Sequence, residues 1–178
     1  YPSGFSTNIN VSGVSESLCG AVRPGHFDGV ATIVCKLLMQ SQPDRAFFGE
    51  KDYQQLHVIT RMTQDLNLPV EIIPIPTIRE ADGLALSSRN QYLTEPQRHI
   101  APKLYQTLTA VAEKVKQHAN VEEAMIFGRN ALEEGGFDRV DYLELRDAQT
   151  LAPMTQFDKP ARLLVAAPLG NTRLIDHI

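Results

Sequence analysis

The chain contains 178 residues, of which 43% are hydrophobic, so it can bury one good core or two small ones like an ordinary soluble protein. Its formal net charge of −4 and its lack of a Lys/Arg cluster exclude general binding to nucleic acid, which requires several cations that neutralise phosphates. The apolar runs fall far short of the roughly 20 residues that a membrane-spanning helix needs. We therefore expect no nucleic-acid partner and no membrane partner.

The cysteines and the first residues give two further expectations. Cys19 and Cys35 both lie in segments typical of packed structure, so the sequence predicts no disulfide framework and favours a reducing, cytoplasmic setting. The chain begins with Tyr-Pro-Ser-Gly and shows neither an initiator Met nor the charged and apolar regions of a signal peptide. This start predicts that an upstream portion of the protein is missing.

The first half is predicted to contain a helix followed by a strand–helix–strand unit. Residues 26–40 carry apolar side chains at the three-and-four spacing of one helix face. Residues 44–48 predict a strand that ends at Gly49, residues 52–67 predict a helix, and the β-branched run 70–75 predicts another strand. Strands joined by a helix are parallel, and their carboxyl ends place loops where helix N-termini offer N–H groups to phosphates. We therefore expect functional loops at these strand ends.

The second half is predicted to be a small α+β domain. A capping box at Thr94 opens one long amphipathic helix that reaches Val115, and Asn120 caps the start of another helix. Two strand-like segments, 140–145 and 162–167, follow these helices, and helices followed by strands without alternation favour an α+β arrangement. The predicted domains are residues 1–88 and 89–178.

The first candidate site is the segment that follows the first predicted strand. It consists of Gly49, Glu50, Lys51 and Asp52, with Gln55 one helical turn after Lys51. An ammonium beside a helix N-terminus suits an anion, and an amide on the same face can fix a hydroxyl or a carboxylate. The same spacing is equally typical of solvated first-turn residues, so the pattern alone leaves both interpretations open.

The second candidate site is the segment 79–90. A turn at Gly83 is followed by Ser87, Ser88 and Arg89. Polyphosphate binding requires such donors, because Arg offers a bidentate fork to phosphate oxygens and hydroxyls can serve the remaining acceptors. Taken alone, the same run is more often an ordinary surface loop.

Histidines offer a weaker signal. Arg23 and His26 stand just before the first predicted helix, where they could contact an anion, although for His26 the pattern favours a simple turn with a helix-entry histidine. The remaining histidines lack the spacing of a zinc site or a nucleophilic triad, and we interpret them as surface or helix residues: His57, His99, His118 and His177. No metal-ligating residue is predicted.

Taken in order, several of these segments resemble the pantothenate synthetase family. Residues 23–27 read Arg-Pro-Gly-His-Phe, residues 48–56 read Phe-Gly-Glu-Lys-Asp-Tyr-Gln-Gln-Leu, and residues 82–90 read Asp-Gly-Leu-Ala-Leu-Ser-Ser-Arg-Asn. Residues 142–147 and 163–167, with Thr172-Arg-Leu-Ile-Asp near the end, resemble the carboxyl-terminal domain of that family. Each motif is weak alone, but their ordered combination is highly specific and covers essentially the whole chain.

The resemblance implies a fold, an assembly and a set of site residues. It implies a partial Rossmann-like, nucleotidyltransferase-type α/β domain with a parallel sheet, followed by a smaller lid domain, in a homodimer. Gln55 is implied to hold pantoate. The implied ATP contacts are Gly49, Glu50, Lys51 and Asp52, an adenine-side backbone contact at Ile78, and a phosphate loop of Leu86, Ser87, Ser88 and Arg89. Of these, Lys51, Ser87, Ser88 and Arg89 are the implied catalytic residues.

The implied reaction is an ATP-dependent ligation with Mg²⁺. Pantoate is activated as an acyl-adenylate with release of pyrophosphate, and β-alanine then takes the acyl group with release of AMP. One departure stands out, because the His-x-Gly-His signature of the family is absent from these 178 residues. Two alternatives stay open: another adenylyl- or cytidylyl-transferase of the same superfamily, or an inactive binding or dimerisation fragment.

Overall fold

A computed structural model describes residues 1–117 and 120–178, and the chain divides into two compact units. The first unit is Tyr1–Pro76 and the second is Thr77–Ile178. The predicted domain boundary after Ser88 lies further along the chain than this division. Residues 77–88 group with the second unit, in which Arg79 forms an ion pair with Asp176 of the last strand. The lid role of residues 89–178 stays a prediction.

The first unit contains the predicted parallel strand pair. Its elements are α1 (Cys19–Val22), α2 (His26–Ser41), β1 (Arg45–Gly49), a 3-10 helix (Glu50–Asp52), α3 (Tyr53–Asp65) and β2 (Glu71–Ile75). β1 and β2 pair in parallel, with Arg45 opposite Glu71 and Gly49 opposite Ile75. The predicted strand–helix–strand unit is confirmed. Because the strands are in register, both carboxyl ends lie at the same edge of the sheet.

The helix α2 forms because its apolar side chains fall on one face. Phe27, Ala31, Cys35 and Leu38 are all buried, and their spacing of three or four residues places them along a single stripe. Gly25 precedes the helix with φ of 76°, a left-handed conformation that glycine adopts without steric cost. The helix predicted over 26–40 is thereby confirmed.

The second unit packs helices against an antiparallel sheet. After a 3-10 helix (Ser88–Tyr92), its elements are α4 (Glu95–Ile100), α5 (Lys103–Lys116), α6 (Val121–Glu134), β3 (Tyr142–Asp147), β4 (Ala161–Leu169) and β5 (Thr172–His177). The strand order is β3-β4-β5, and both pairings are antiparallel. The mixed α/β class predicted from the sequence is confirmed. The core of this unit includes the fully buried residues Leu104, Leu108, Val111, Leu143 and Val165.

The long helix predicted to run from Thr94 to Val115 is interrupted, so that prediction is wrong. α4 ends at Ile100 and α5 begins at Lys103. Pro102, between them, has no N–H to donate, and its ring clashes with the carbonyl four residues earlier. Ala101 keeps helical dihedrals, with φ of −50° and ψ of −39°, so the proline breaks the hydrogen-bond ladder while the backbone conformation persists.

The strand β5 was not predicted, although the sequence carries a signal for it. Leu169 pairs with Thr172, so β4 and β5 are joined by the two-residue turn Gly170-Asn171. Gly170 has φ of 59°, and Gly-Asn between two apolar runs is typical of a tight hairpin.

Among residues 1–117 and 120–178, no helix is long and apolar enough to cross a membrane.

Close packing around Gly128 on α6 allows a stability prediction. A Cβ at this position would lie 2.5 Å from Cδ2 of Leu143 and 2.7 Å from Cγ2 of Val111, both in the core. We expect Gly128→Ala to lower the free energy of unfolding by about 1 kcal/mol, because overpacking outweighs the gain in helix propensity. Urea unfolding followed by circular dichroism measures the change.

The matched control is Asn130→Ala, since Asn130 is exposed on the same helix. This substitution gains helix propensity without a new core contact, so it should raise the free energy of unfolding by about 0.5 kcal/mol. If Gly128→Ala is stabilised as well, the core beside α6 can accommodate the added methyl group and the overpacking prediction is wrong.

Candidate functional site

The first candidate segment begins where β1 ends. Gly49 is the last residue of that strand, and Glu50–Asp52 form the 3-10 helix that leads into α3. Lys51 and Gln55 are both half-buried, on either side of the start of α3. The cation and the amide therefore stand at the carboxyl end of a parallel strand and at the N-terminus of a helix, where partial positive charge favours an anion. That their side chains share one face stays a prediction.

Gln54, the neighbour of Gln55, has an anchoring role that the sequence analysis missed. Its side chain is almost fully buried, and its Oε1 accepts a hydrogen bond of 3.0 Å from the backbone N–H of Cys19. Its Nε2 donates to the carbonyl oxygens of Val14 at 2.9 Å and Ser17 at 2.7 Å. One amide therefore fastens residues 14–19 to the first turn of α3.

The helical period of α3 places both glutamines one turn before a buried residue. Val58 and Met62 are buried on α3, and Gln54 lies one turn before Val58 on the same stripe. Gln55 lies one turn before the buried Ile59 in the same way, yet it stays half-buried, so the helical period alone does not separate the two glutamines. A polar residue on an apolar stripe is expected to be hydrogen-bonded inside the fold, and this is the role that Gln54 has.

Arg23 and His26 contact each other at the start of α2. A guanidinium nitrogen of Arg23 lies 3.0 Å from Nε2 of His26, and the arginine is exposed. For this contact to be a hydrogen bond, Nε2 must act as the acceptor, which requires the neutral ring. The sequence analysis did not predict this contact, and a contact of Arg23 and His26 with an anion stays a prediction.

The second candidate segment folds into a short hairpin in the second unit. The backbone N–H of Leu86 donates to the carbonyl of Ile78 at 2.9 Å, and Arg79 bridges Ala85 in antiparallel fashion. The predicted turn is present, because Gly83 has φ of 91° and its N–H donates to Glu80. The hairpin brings Ile78 directly beside Leu86. The residue implied to contact the adenine side and the first residue of the implied phosphate loop are therefore hydrogen-bonded neighbours.

Ser87, Ser88 and Arg89 follow this hairpin at the start of a 3-10 helix. Oγ of Ser87 accepts from the backbone N–H of Arg89 at 3.2 Å and so caps that helix. Ser88 and Arg89 are exposed, and the Arg89 guanidinium forms no ion pair with any residue in the described ranges. The hydroxyl of Ser87 thus has a structural partner, whereas the charge of Arg89 is available to a ligand.

Arg98 braces the hairpin from α4. Its guanidinium donates to Glu80 at 2.7 Å and to Asp82 at 2.6 Å. The hydrogen bond from Arg98 lowers the pKa of the Asp82 carboxyl below its ordinary value, and the N–H of Leu84 contributes in the same direction. Asn90 adds bonds from its amide to Glu80 and to the carbonyl of Ala85. The segment is therefore a braced loop and not a freely solvated one.

The other histidines are placed as follows. His57 lies on α3 and His99 lies on α4, as interpreted, whereas His118 lies outside the described residues. His177 was interpreted as a surface or helix residue, but it is buried in β5, with Nε2 3.1 Å from Oγ1 of Thr77. Its position follows from the strand that the sequence analysis missed.

The three hydrogen bonds of Gln54 predict a large effect on stability. Gln54→Ala should lower the free energy of unfolding by about 2–4 kcal/mol, because it leaves buried backbone groups unpaired. Gln55→Ala serves as the control and should change stability by less than about 0.5 kcal/mol, since its amide has no recorded hydrogen bond with a described residue. Urea unfolding of both variants tests the contrast, and equal losses would contradict the anchoring role.

The ion pair of Asp82 predicts a pH dependence. Because the pKa of Asp82 is lowered in the folded protein, the pair stabilises the loop above the ordinary carboxyl pKa of about 3.9, and this contribution is lost as the pH falls through the lower folded value. NMR titration of the Asp82 carboxyl carbon should therefore give a midpoint below that ordinary value. Arg98→Met should move the midpoint up towards it, and an unchanged midpoint would contradict the assignment.

Comparison with known proteins gives a consistent result. The sequence model of the family described as Pantoate-beta-alanine ligase matches residues 1–178. The chain is 57% identical over 178 residues to the pantothenate synthetase of Chelativorans sp. (strain BNC1). This alignment covers 100% of the chain and 63% of the relative. A pantothenate synthetase of Paramagnetospirillum magneticum is also 57% identical, with the same coverage.

Solved structures agree with the sequence comparison. The crystal structure of pantothenate synthetase from Thermus thermophilus matches with a TM-score of 0.93 and 49% identity, over 100% of this chain and 65% of that one. The pantoate-beta-alanine ligase of Francisella tularensis, solved in complex with beta-gamma ATP and beta-alanine, matches with a TM-score of 0.77 and 33% identity, over 100% of this chain and 60% of that one.

The comparisons decide between the alternatives at the level of the family. The chain spans about 63% of the length of the curated relatives described above. The matches are to pantothenate synthetases, so a different nucleotidyltransferase is not favoured. Because the family model matches the chain from its first residue to its last, the chain belongs to the pantoate-beta-alanine ligase family.

Proposed function

We propose that this protein acts in the ATP-dependent condensation of pantoate with β-alanine to form pantothenate, as part of pantothenate and coenzyme A biosynthesis. The pantoate carboxylate attacks the α-phosphorus of ATP and expels pyrophosphate, which gives pantoyl-adenylate. The amine of β-alanine then attacks the mixed anhydride and releases AMP. Membership of the family supports this reaction, and the Francisella relative was solved with two ligands of the corresponding kinds.

The observation that carries the proposal is the position of residues 49–52. Gly49 is the last residue of a parallel strand, in register with Ile75, and Lys51 follows at once in the 3-10 helix before α3. Ligands of open α/β sheets bind at the carboxyl ends of strands, where helix N-termini attract phosphate. We propose that Gly49, Glu50, Lys51 and Asp52 contact ATP there.

In the second unit, we propose that the hairpin and the residues after it also contact ATP. The Ile78 N–H has no recorded hydrogen bond with a described residue, so it can serve as the adenine-side contact that the family implies. The exposed side chains of Ser88 and Arg89 are suited to phosphate oxygens. The proposed phosphate contacts of this unit are Leu86, Ser87, Ser88 and Arg89.

The chemistry asked of these groups is electrostatic. Negative charge develops on the phosphate oxygens when the carboxylate attacks, and preorganised cations stabilise that charge in the transition state. We propose that Lys51 and Arg89 are these cations, and that the hydroxyls of Ser87 and Ser88 donate hydrogen bonds to the phosphate oxygens. Mg²⁺ would enter with ATP and neutralise phosphate charge, and no protein ligand for it is proposed.

Gln55 has a different proposed role. An amide cannot relay protons or compensate charge, but its paired donor and acceptor can hold the hydroxyl and carboxylate of pantoate in position.

We further propose that the protein is cytoplasmic, forms a homodimer and binds no nucleic acid. The net charge of −4 supports the last of these, and the resemblance to the family supports the dimer.

The direct test is product detection. The protein is incubated with ATP, Mg²⁺ and pantoate, and pantoyl-adenylate is sought by mass spectrometry before and after β-alanine is added. The expected result is an adenylate mass that is replaced by pantothenate and AMP. A nucleotide adduct formed with a different acid, or with CTP in place of ATP, would contradict the proposed substrates.

Two neighbouring substitutions should separate charge stabilisation from positioning. We expect Lys51→Ala to slow adenylate formation by about two to three orders of magnitude, on the order of 3 kcal/mol of barrier, because it removes a cation that acts in the transition state. Gln55→Ala should instead raise the KM for pantoate with a smaller effect on kcat. Rapid-quench measurement of adenylate formation tests both, and the reverse pattern would reject the assigned roles.

A further inference from the structure

The guanidinium of Arg79 is bound by several groups of the second unit at once. It donates to both carboxylate oxygens of Asp176, at 2.6 and 2.9 Å, which is the bidentate geometry of a strong ion pair. It also donates to the carbonyls of Gly83 at 3.2 Å and His177 at 3.1 Å. Its flat face lies 3.8 Å from the centre of the Tyr105 ring. The side chain is therefore held on its edge and on its face.

Asp176 holds its side of this ion pair in a fixed position. It lies in β5 opposite Val165 of the adjacent strand, and only 1% of its side chain is exposed. An ionised carboxylate at that depth is costly unless a cation pairs with it, so the pair cannot be exchanged for water without a large loss. The position of Arg79 is thus dictated by the sheet.

The hairpin carries this constraint to the proposed nucleotide contacts. Arg79 directly follows Ile78 and bridges Ala85, and the carbonyl of Ile78 accepts the N–H of Leu86. Leu86 in turn precedes Ser87, which caps the 3-10 helix that holds Arg89. A shift of Arg79 would therefore displace both the adenine-side residue and the start of the phosphate loop.

We propose that Arg79 is a positioning residue for ATP, which it orients through the hairpin 78–86 without touching it. Asp176 compensates its charge, so Arg79 is not one of the phosphate-binding cations, in contrast to Arg89. The inference rests on the proposed function, since it assigns a task to Arg79 only if Ile78 and Leu86 contact the nucleotide. It adds to that function a residue whose effect is on geometry.

The test compares variants of the pair in ATP binding and in adenylate formation. Arg79→Lys keeps the charge but loses the bidentate fork, so it should raise the Kd and KM for ATP by about 10- to 100-fold while the KM for pantoate changes less than about two-fold. Asp176→Asn should act in the same selective way. Isothermal titration with ATP and Mg²⁺ gives the Kd, and the adenylate assay gives both KM values.

A matched control separates positioning from simple loss of stability. Arg173, also on β5, donates to the buried Asp141 at 2.7 Å and lies 5.7 Å from the ring of Tyr142, so it has the same kinds of partner as Arg79. Asp141 and Tyr142 both lie outside residues 78–90. Arg173→Lys should lower the melting temperature to a similar extent and leave the Kd for ATP unchanged.

Each result is decisive. The inference is supported if the Arg79 and Asp176 variants selectively weaken ATP binding and Arg173→Lys does not. If ATP binds the unsubstituted protein and Arg79→Lys equally well, or if the Arg79 and Arg173 variants weaken it alike, the inference fails and the proposed function stands. If the unsubstituted protein binds no ATP, both fail together.

Discussion

A polar group that folding removes from water must find a hydrogen-bond partner, and this constraint shapes both candidate segments. In the first unit, Gln54 satisfies backbone groups of residues 14–19, which belong to no long element. In the second unit, Arg79 satisfies a buried carboxylate and two carbonyls. Each anchor stands next in sequence to a proposed ligand contact, Gln55 in one case and Ile78 in the other. The fold thus places a residue with a structural task beside a residue with a binding task.

Local patterns predicted the regular part of the fold well. The apolar stripe of α2, the parallel pair β1 and β2, and the cap at Asn120, whose side chain accepts from two backbone N–H groups, all follow from interactions within a few residues. The failures have equally local causes. Pro102 removed a donor from a pattern that otherwise reads as one helix, and the short hairpin turn before β5 was overlooked.

The site was predictable in a different way. Spacing alone left the segments 49–55 and 79–90 undecided between ligand binding and ordinary surface, and only the resemblance to a family assigned roles to them. What sequence could not supply was the supporting network, because ion pairs such as Arg79 with Asp176 join residues far apart in the chain. No periodicity reports such a contact. The spacing on α3 places Gln54 before the buried Val58, but it also places Gln55 before the buried Ile59, so the anchor became visible only in the structure.

The separation of 97 residues between Arg79 and Asp176 also bears on the order in which the chain folds. A contact between distant residues forms late, because the entropy of closing the intervening loop opposes it until other structure has shortened that loop. The ribosome must release β5 before the hairpin 78–86 can be fastened. Much of the second unit is therefore synthesised while this hairpin still lacks its main anchor, and β5 completes a segment that was translated long before it.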